Sequence, residues 1–335
     1  MTTDAGTMEA EPAVLAVDIG ATNTRVALVD TKGIIRASLS EKTPVSGNDP
    51  TIIARRVKEM AERLLGPAGW EAVGSVGISG AGPVDRERGS LINPPNIPFP
   101  EVPLAGPLGE GTRLPITVLN DCHAGVIGER CFGEGMGYRN MVYLTLSTGI
   151  GAGVILDGRL ILGSEGNAAE VGHFHVDSAL DLPCGCGYTG HWEGYASGRF
   201  LPRFFSAWWG KDLSHLPFDP RTPEGIFSAA GEGNPIASAF LDRLAVINGR
   251  GISDIIVAYN PDLIVFDGSV VVNNVPEVLE RAIPRIDRYL TLPRLAVTAL
   301  GGTAPLVGAA VASGIECRGG DLARVDWNDP CGAGR

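Results

Sequence analysis

Positive charge is in short supply in this sequence. Its 335 residues carry 27 Lys and Arg against 38 Asp and Glu, for a formal charge of −11. A nucleic-acid groove or an anionic membrane surface needs clustered cations, so neither is an expected partner. A small phosphate compound, which one loop can hold, is not excluded. Cysteine is also scarce, at six residues. That is too sparse for a disulfide scaffold and points to thiols or metal ligands in a cytoplasmic protein. A membrane-spanning run is lacking: the longest apolar region, DIIVAYNPDLIVFDGSVVV, is broken by Asn260, Asp262 and Asp267. No early segment has the flanks of a signal peptide, and residues 1–12 are polar and read as disordered.

What is present is ample apolar material, 44% of the chain, on a length that suits two domains. Residues 13–19, 24–30 and 34–42 read as strands, and 50–66 as an amphipathic helix. SVGISGAGPVD is a buried strand entering a Gly-rich loop, and LPITVLND is a strand ending at Asn120 and Asp121, with a helix after it. The opening pattern then recurs: MVYLTLSTGIGAGVILDG, residues 141–158, is again strand, Gly/Thr loop, strand and Asp. The two segments read as equivalent first hairpins of two related domains. Helices are expected over 236–258, 275–290 and 304–316, strands at PDLIVFD and LAVTAL, and a flexible tail over 318–335. Strands alternating with helices give an α/β class, and the hairpins make its sheets mixed.

Neither Gly/Thr loop fits a familiar nucleotide fingerprint. Gly149-Ile150-Gly151-Ala152-Gly153 has the wrong spacing for a dinucleotide loop and runs into a strand, and no Gly-Lys-Ser/Thr is present in either loop. What remains is a pair of hairpin tips rich in backbone N–H groups and hydroxyls, which suits gripping a polyphosphate from two sides. Asp18 would repel phosphate directly and makes sense with Mg²⁺ between them. Asp121, at a strand's C-terminal end, suits a base that takes a proton from an attacking hydroxyl; as a helix cap it would do nothing more.

The stretch 170–194, EVGHFHVDSALDLPCGCGYTGHWEG, holds three of the five histidines and a Cys-x-Cys pair. Cys184, Cys186, His191 and one upstream histidine could surround one Zn²⁺ tetrahedrally; four protein ligands would make it structural. Read as a strand, 173–175 puts His173 and His175 on one face, so spacing does not choose between them.

These motifs carry a resemblance. DIGATNTR and LSTGIGAG are similar to the phosphate motifs of the superfamily of actin, heat-shock chaperones and sugar kinases. EVGH, and CGCGYTGHWE with His191 where a third cysteine is usual, resemble the signatures of the ROK family of sugar kinases and repressors. SGAGPVD, PPNIPF, VLND and DGSVV fall in that family's order, from about Val14 to Ala312. The resemblance implies two ribonuclease-H-like lobes with ATP in the cleft between them. The smaller lobe is expected over 13–119 plus 304–317, the larger over 120–303.

It implies His173 as the fourth zinc ligand, and a sugar pocket of Asn96, Asn120, Asp121, Glu170, His173 and Glu193. Thr22, Asn23 and Thr24, with Gly20, Thr148, Gly149 and Gly151, would hold phosphates. Gly268 and Ser269 would approach the adenosine, although Asp267 and Ser269 depart from the usual glycine run. The reaction expected is transfer of the ATP γ-phosphoryl group to the 6-hydroxyl of glucose or a related hexose, with Asp121 as base and Mg²⁺ near Asp18, in a homodimer. The alternatives are an N-acetylmannosamine or fructose kinase, or a non-catalytic sugar sensor or regulator; only about a dozen residues precede Val14, too few for a DNA-reading helix-turn-helix.

Overall fold

A computed structural model describes residues 13–95 and 97–328. The expected disordered start, residues 1–12, lies outside them, as does Asn96. Two units are found, each with its own core. One holds the described residues up to Asp121 together with Leu306–Asp321; the other holds Cys122–Pro305 and the described residues from Leu322.

The first unit is built on a five-stranded sheet. Its strands are β1 (Ala13–Ile19), β2 (Asn23–Val29), β3 (Ile35–Lys42), β4 (Val73–Gly80) and, after a small three-stranded sheet of β5 (Val84–Asp85), β6 (Ser90–Ile92) and β7 (Glu101–Pro103), β8 (Ile116–Asn120). Their order is β3-β2-β1-β4-β8, with β2 antiparallel to both β1 and β3, and β1, β4 and β8 parallel. Burial follows position. The edge strand β3 alternates between half-buried and exposed residues, whereas β4 is buried over nearly its whole length. Helix Ile52–Leu65 places Ile53, Val57, Met60 and Ala61 on the stripe it buries. Helix Ala304–Glu316 crosses β4 so closely that a Cβ on Gly77 would fall well inside contact with the Ala309 carbonyl.

The second unit repeats the plan. Strands β9 (Met141–Leu146), β10 (Ile150–Leu156), β11 (Arg159–Leu160), β12 (Leu263–Asp267) and β13 (Arg294–Val297) run in the order β11-β10-β9-β12-β13. Again the first three strands run as an antiparallel meander, β10 pairing with both β9 and β11, and β12 pairs in parallel with β9 on one side and β13 on the other. Two sheets with one topology, each opening on a Gly/Thr hairpin, are what the internal repeat at 13–30 and 141–158 predicts.

The long helix Pro235–Tyr259 is fixed at both ends. Asn234 accepts from the amides of Ile236 and Ala237, Pro235 takes the first turn, and Asn260 closes the helix in a left-handed conformation. Phe204 and Phe205 meet Phe240 of this helix edge-on.

Three sequence expectations need correction. Residues 275–290 are not one helix: a short π-turn at Pro276–Glu280 and a 3₁₀ turn at Ile283–Arg285 replace it, because Pro284 supplies no N–H and breaks the ladder. Residues 171–173 form a 3₁₀ turn, not a strand, so the strand argument linking His173 and His175 does not apply. The tail is not loose up to Asn328: Leu322 and Trp327 are fully buried, and the Trp327 amide bonds the Gly158 carbonyl. Its Gly- and Asp-rich composition hid apolar residues spaced to pack.

Candidate active site and metal cluster

Parallel pairing decides what stands together in the first unit. Ile19 is paired with Gly80, and Gly80 with Asn120. The C-terminal ends of β1, β4 and β8 therefore share one edge of the sheet. That edge carries the Gly20–Thr22 turn, the Gly80–Gly82 loop and Asn120–Asp121. Adjacent strands being about 4.8 Å apart, the turn and Asp121 stand two strands, roughly 10 Å, from each other. Asp121 opens the helix Asp121–Phe132, and Asn120 donates to the Gly82 carbonyl at 3.2 Å.

The tip of the first hairpin is tied from behind. Gly20 N–H bonds the Asn23 carbonyl at 3.0 Å, and the Thr43 hydroxyl donates to the Gly20 carbonyl at 2.6 Å. Thr22 and Asn23 are exposed at the tip. Thr24 is not: it is fully buried, its hydroxyl 3.0 Å from that of Thr43, so its expected phosphate role gives way to bracing the turn. Asp18 lies opposite Arg25 in the hairpin register. Its Oδ2 accepts from Arg25 Nη2 at 2.6 Å and its Oδ1 from Ser79 Oγ at 2.9 Å. Sequence reasoning missed Arg25, Ser79 and Thr43; the Asp18–Arg25 pairing was readable from the hairpin spacing.

In the second unit the matching edge carries the Ser147–Gly149 turn and Gly268–Ser269, because Thr145 pairs with Asp267. The Ser147 and Ser269 hydroxyls are 3.4 Å apart, and Thr148 is exposed beside them. Gly268 has φ 95° and its Cα stands against the Leu146 carbonyl, which excludes a side chain. Asp267 turns inward: it accepts from the Tyr143 hydroxyl at 2.9 Å and from the Gly268 amide at 2.6 Å. A side chain at Gly151 would collide with the Cys122 sulfur, 2.7 Å away, so glycine there lets the helix after Asp121 lie on β10.

The loop at 170–194 folds around four donors. His173, Cys184, Cys186 and His191 each offer one atom, all within 4.8 Å of one another. Cys184 Sγ is 3.7 Å from His173 Nδ1, and Cys186 Sγ is 3.2 Å from His191 Nδ1. Neighbouring donors in a tetrahedral zinc site, with bonds of about 2.0–2.3 Å, are about 3.3–3.8 Å apart, so the two measured pairs suit that ion and the whole set lies within about 1 Å of that spacing. The Cys184 amide bonds the Tyr188 carbonyl and the Gly187 amide returns to the Cys184 carbonyl, which makes the knuckle that presents both sulfurs. Gly187 and Gly190, at φ 92° and 75°, permit that turn.

Burial pushes the Cys184 thiol up to about 11, with Glu193 and Cys186 adding to the rise against a Cys186 backbone bond that lowers it. Burial, then His173 and His175, lower the His191 imidazole, which favours the neutral form that binds metals. His175 stays outside the cluster; its strand-like bridge to His191 aligns the two arms of the loop.

Glu193 follows the cluster. Its Oε2 accepts from the Ile150 amide at 3.0 Å, and its Oε1 is 3.9 Å from Cys184 Sγ. Glu170 is exposed at the loop's entrance. The loop is seated on the long helix by Trp192, whose Nε1 donates to Asn248 Oδ1 at 2.9 Å, and by buried Asp177, which accepts from Arg243 and the Tyr195 hydroxyl.

A family model described as "ROK family" matches residues 14–313. A glucokinase of Pyrobaculum calidifontis is 39% identical over 277 residues, covering 82% of this chain and 86% of that one. The fold is similar to the ROK hexokinase of Thermus thermophilus, with a TM-score of 0.76 and 29% identity over 92% of this chain and 100% of that one. It is also similar to a ROK glucokinase of Streptomyces griseus solved with glucose and AMPPNP, at a TM-score of 0.72 and 31% identity over 90% and 99%.

Proposed function

This chain belongs to the ROK family, and from that premise we propose that it is an ATP-dependent hexokinase acting on the 6-hydroxyl of glucose or a close relative. The observation that carries the reading is the edge of the first sheet. One Gly/Thr turn and one carboxylate stand on it two strands apart, an arrangement that suits a phosphate cradle beside a base acting on the acceptor hydroxyl. The solved relative holding glucose and an ATP analogue supports both substrates.

In this mechanism the Asp121 carboxylate takes the proton of the sugar hydroxyl as its oxygen attacks the γ-phosphorus. The bond to the β–γ bridging oxygen breaks and ADP leaves. Asn120 and Glu170, with Glu193 and the His173 Nε2 left over once Nδ1 faces Cys184, hold the remaining hydroxyls. Asn96 is assigned to the same pocket by its motif alone. Exposed Thr22, Asn23 and Thr148, on the turns at Gly20 and at Gly149–Gly151, hold the phosphates; Gly268 and Ser269 border the adenosine. Mg²⁺ would neutralise the transferring phosphate. Asp18, whose charge is already partly offset by Arg25, would help to position that ion. His173, Cys184, Cys186 and His191 would hold a structural Zn²⁺, which would fix the loop bearing Glu193 and His173.

Among the described residues no helix is long and apolar enough to cross a membrane; a cytoplasmic homodimer is part of the proposal. The test is purified protein with ATP and a panel of glucose, mannose, fructose and N-acetylmannosamine, assayed for sugar phosphate. Glucose 6-phosphate as the main product is the expected result. A preference for N-acetylmannosamine or fructose would reassign the substrate, and no product from any sugar would leave a sensor.

A further inference from the structure

Glu193 is expected to read sugar hydroxyls, yet its carboxylate is bonded elsewhere. Oε2 accepts from the Ile150 amide at 3.0 Å, and Ile150 is the residue that leaves the Thr148–Gly149 turn. Gly149 is shaped around the same oxygen: a Cβ there would stand 2.6 Å from Glu193 Oε2. The chain after Glu193 continues the grip. The Gly198 amide bonds the Ser147 carbonyl at 2.8 Å and the Arg199 amide bonds the Thr148 carbonyl at 3.3 Å. On the other side, Gly172 abuts the Ile150 carbonyl so closely that no side chain fits between them. Both arms of the metal loop, 171–173 and 193–199, therefore clasp one Gly/Thr turn.

We propose that Glu193 is a positioning residue for the nucleotide: it holds the Thr148–Ile150 turn in its phosphate-binding shape, and through it the metal cluster and the sugar act on nucleotide affinity. This rests on reading the turn as the nucleotide's. A carboxylate shared by two sites couples them, and the coupling is reciprocal. A residue that only touched sugar would leave the sugar-free protein's nucleotide affinity unchanged.

The test is titration calorimetry of AMPPNP with Mg²⁺ into zinc-loaded, sugar-free protein. Removing one charge-assisted hydrogen bond is expected to weaken binding roughly tenfold in Glu193→Ala. Glu193→Asp, which keeps the charge but falls one methylene short, is expected to weaken it similarly, and serves if the alanine variant does not fold. Glu193→Gln keeps reach and an acceptor oxygen and restores most of the affinity. Gly149→Ala adds a second arm. Its cost to AMPPNP binding is large beside Glu193 and small in the Glu193→Ala background, where the colliding oxygen is gone.

Zinc content measured on every sample separates loss of the metal from loss of the carboxylate. Unchanged AMPPNP affinity in both the alanine and aspartate variants, or strictly additive Gly149 and Glu193 effects, overturns the proposal. Wild-type protein that binds no AMPPNP at all but binds sugar refutes instead the kinase reading beneath it.

Discussion

Asp177 offers a test of how the metal loop is anchored. It is 4% exposed and accepts four bonds. Oδ1 takes Arg243 Nη2 at 2.9 Å and Arg250 Nη1 at 3.3 Å; Oδ2 takes the Tyr195 hydroxyl at 3.2 Å and the Leu180 amide at 3.1 Å. In Asp177→Asn one acceptor becomes a donor. Whichever way the amide lies, its NH₂ faces two groups that also donate. A buried pair broken on one side costs about 3–5 kcal/mol. Here the two arginine side chains are 28% and 49% exposed and rehydrate, which brings the expected cost down to about 2 kcal/mol.

The pH dependence has a definite sign. Burial opposes ionisation of Asp177, but the Leu180 amide and Arg243 outweigh it, so the folded carboxyl titrates below its ordinary 3.8. Its stabilisation is therefore complete above 3.8 and fades as pH falls through the lower folded value. Urea unfolding of wild type and variant should show the full gap at neutral pH and a narrowing gap below 3.8. Equal midpoints at neutral pH, or a gap that persists unchanged into strong acid, would refute this account of the anchor.

Metal analysis should find one zinc per chain, and Cys184→Ser should remove most of it and raise the sugar KM. Zinc retained in full would place the ion elsewhere. Gly77→Ala should destabilise the first unit by about 2 kcal/mol or more in urea, because the new methyl meets the Ala309 carbonyl, backbone that cannot swing aside. Gly106→Ala, a helical glycine with nothing within 4 Å of the added Cβ, is the matched control and should be neutral or slightly stabilising.

Much of the fold was legible because it rests on local patterns. The two hairpins, the helix over 52–65 and the long helix at 235–259 announce themselves by alternation, helical spacing and caps. The grouping of the four candidate donors was legible because they sit in one loop, where Cys-x-Cys and His191 are close in sequence. What chain spacing could not reveal was the choice between His173 and His175, since that depends on a 3₁₀ turn at 171–173. Nor could it reveal that Thr24 faces inward to Thr43, nineteen residues away, or that Trp327 returns to Gly158. Those are long-range matters of register and packing. The shared edge of β1, β4 and β8 falls in between: each strand end was visible, but their alignment needs the sheet order.

The sharpest test of the kinase account is a single comparison made on one preparation, wild type against Asp121→Asn, measuring glucose phosphorylation with ATP and glucose binding by calorimetry. Asparagine keeps the size and the hydrogen-bonding reach of aspartate but cannot accept the proton, so kcat should fall about 10²–10⁴-fold while the glucose Kd stays within about threefold. Turnover that survives the substitution, or a loss of activity matched by an equal loss of glucose binding, would contradict the role given to Asp121.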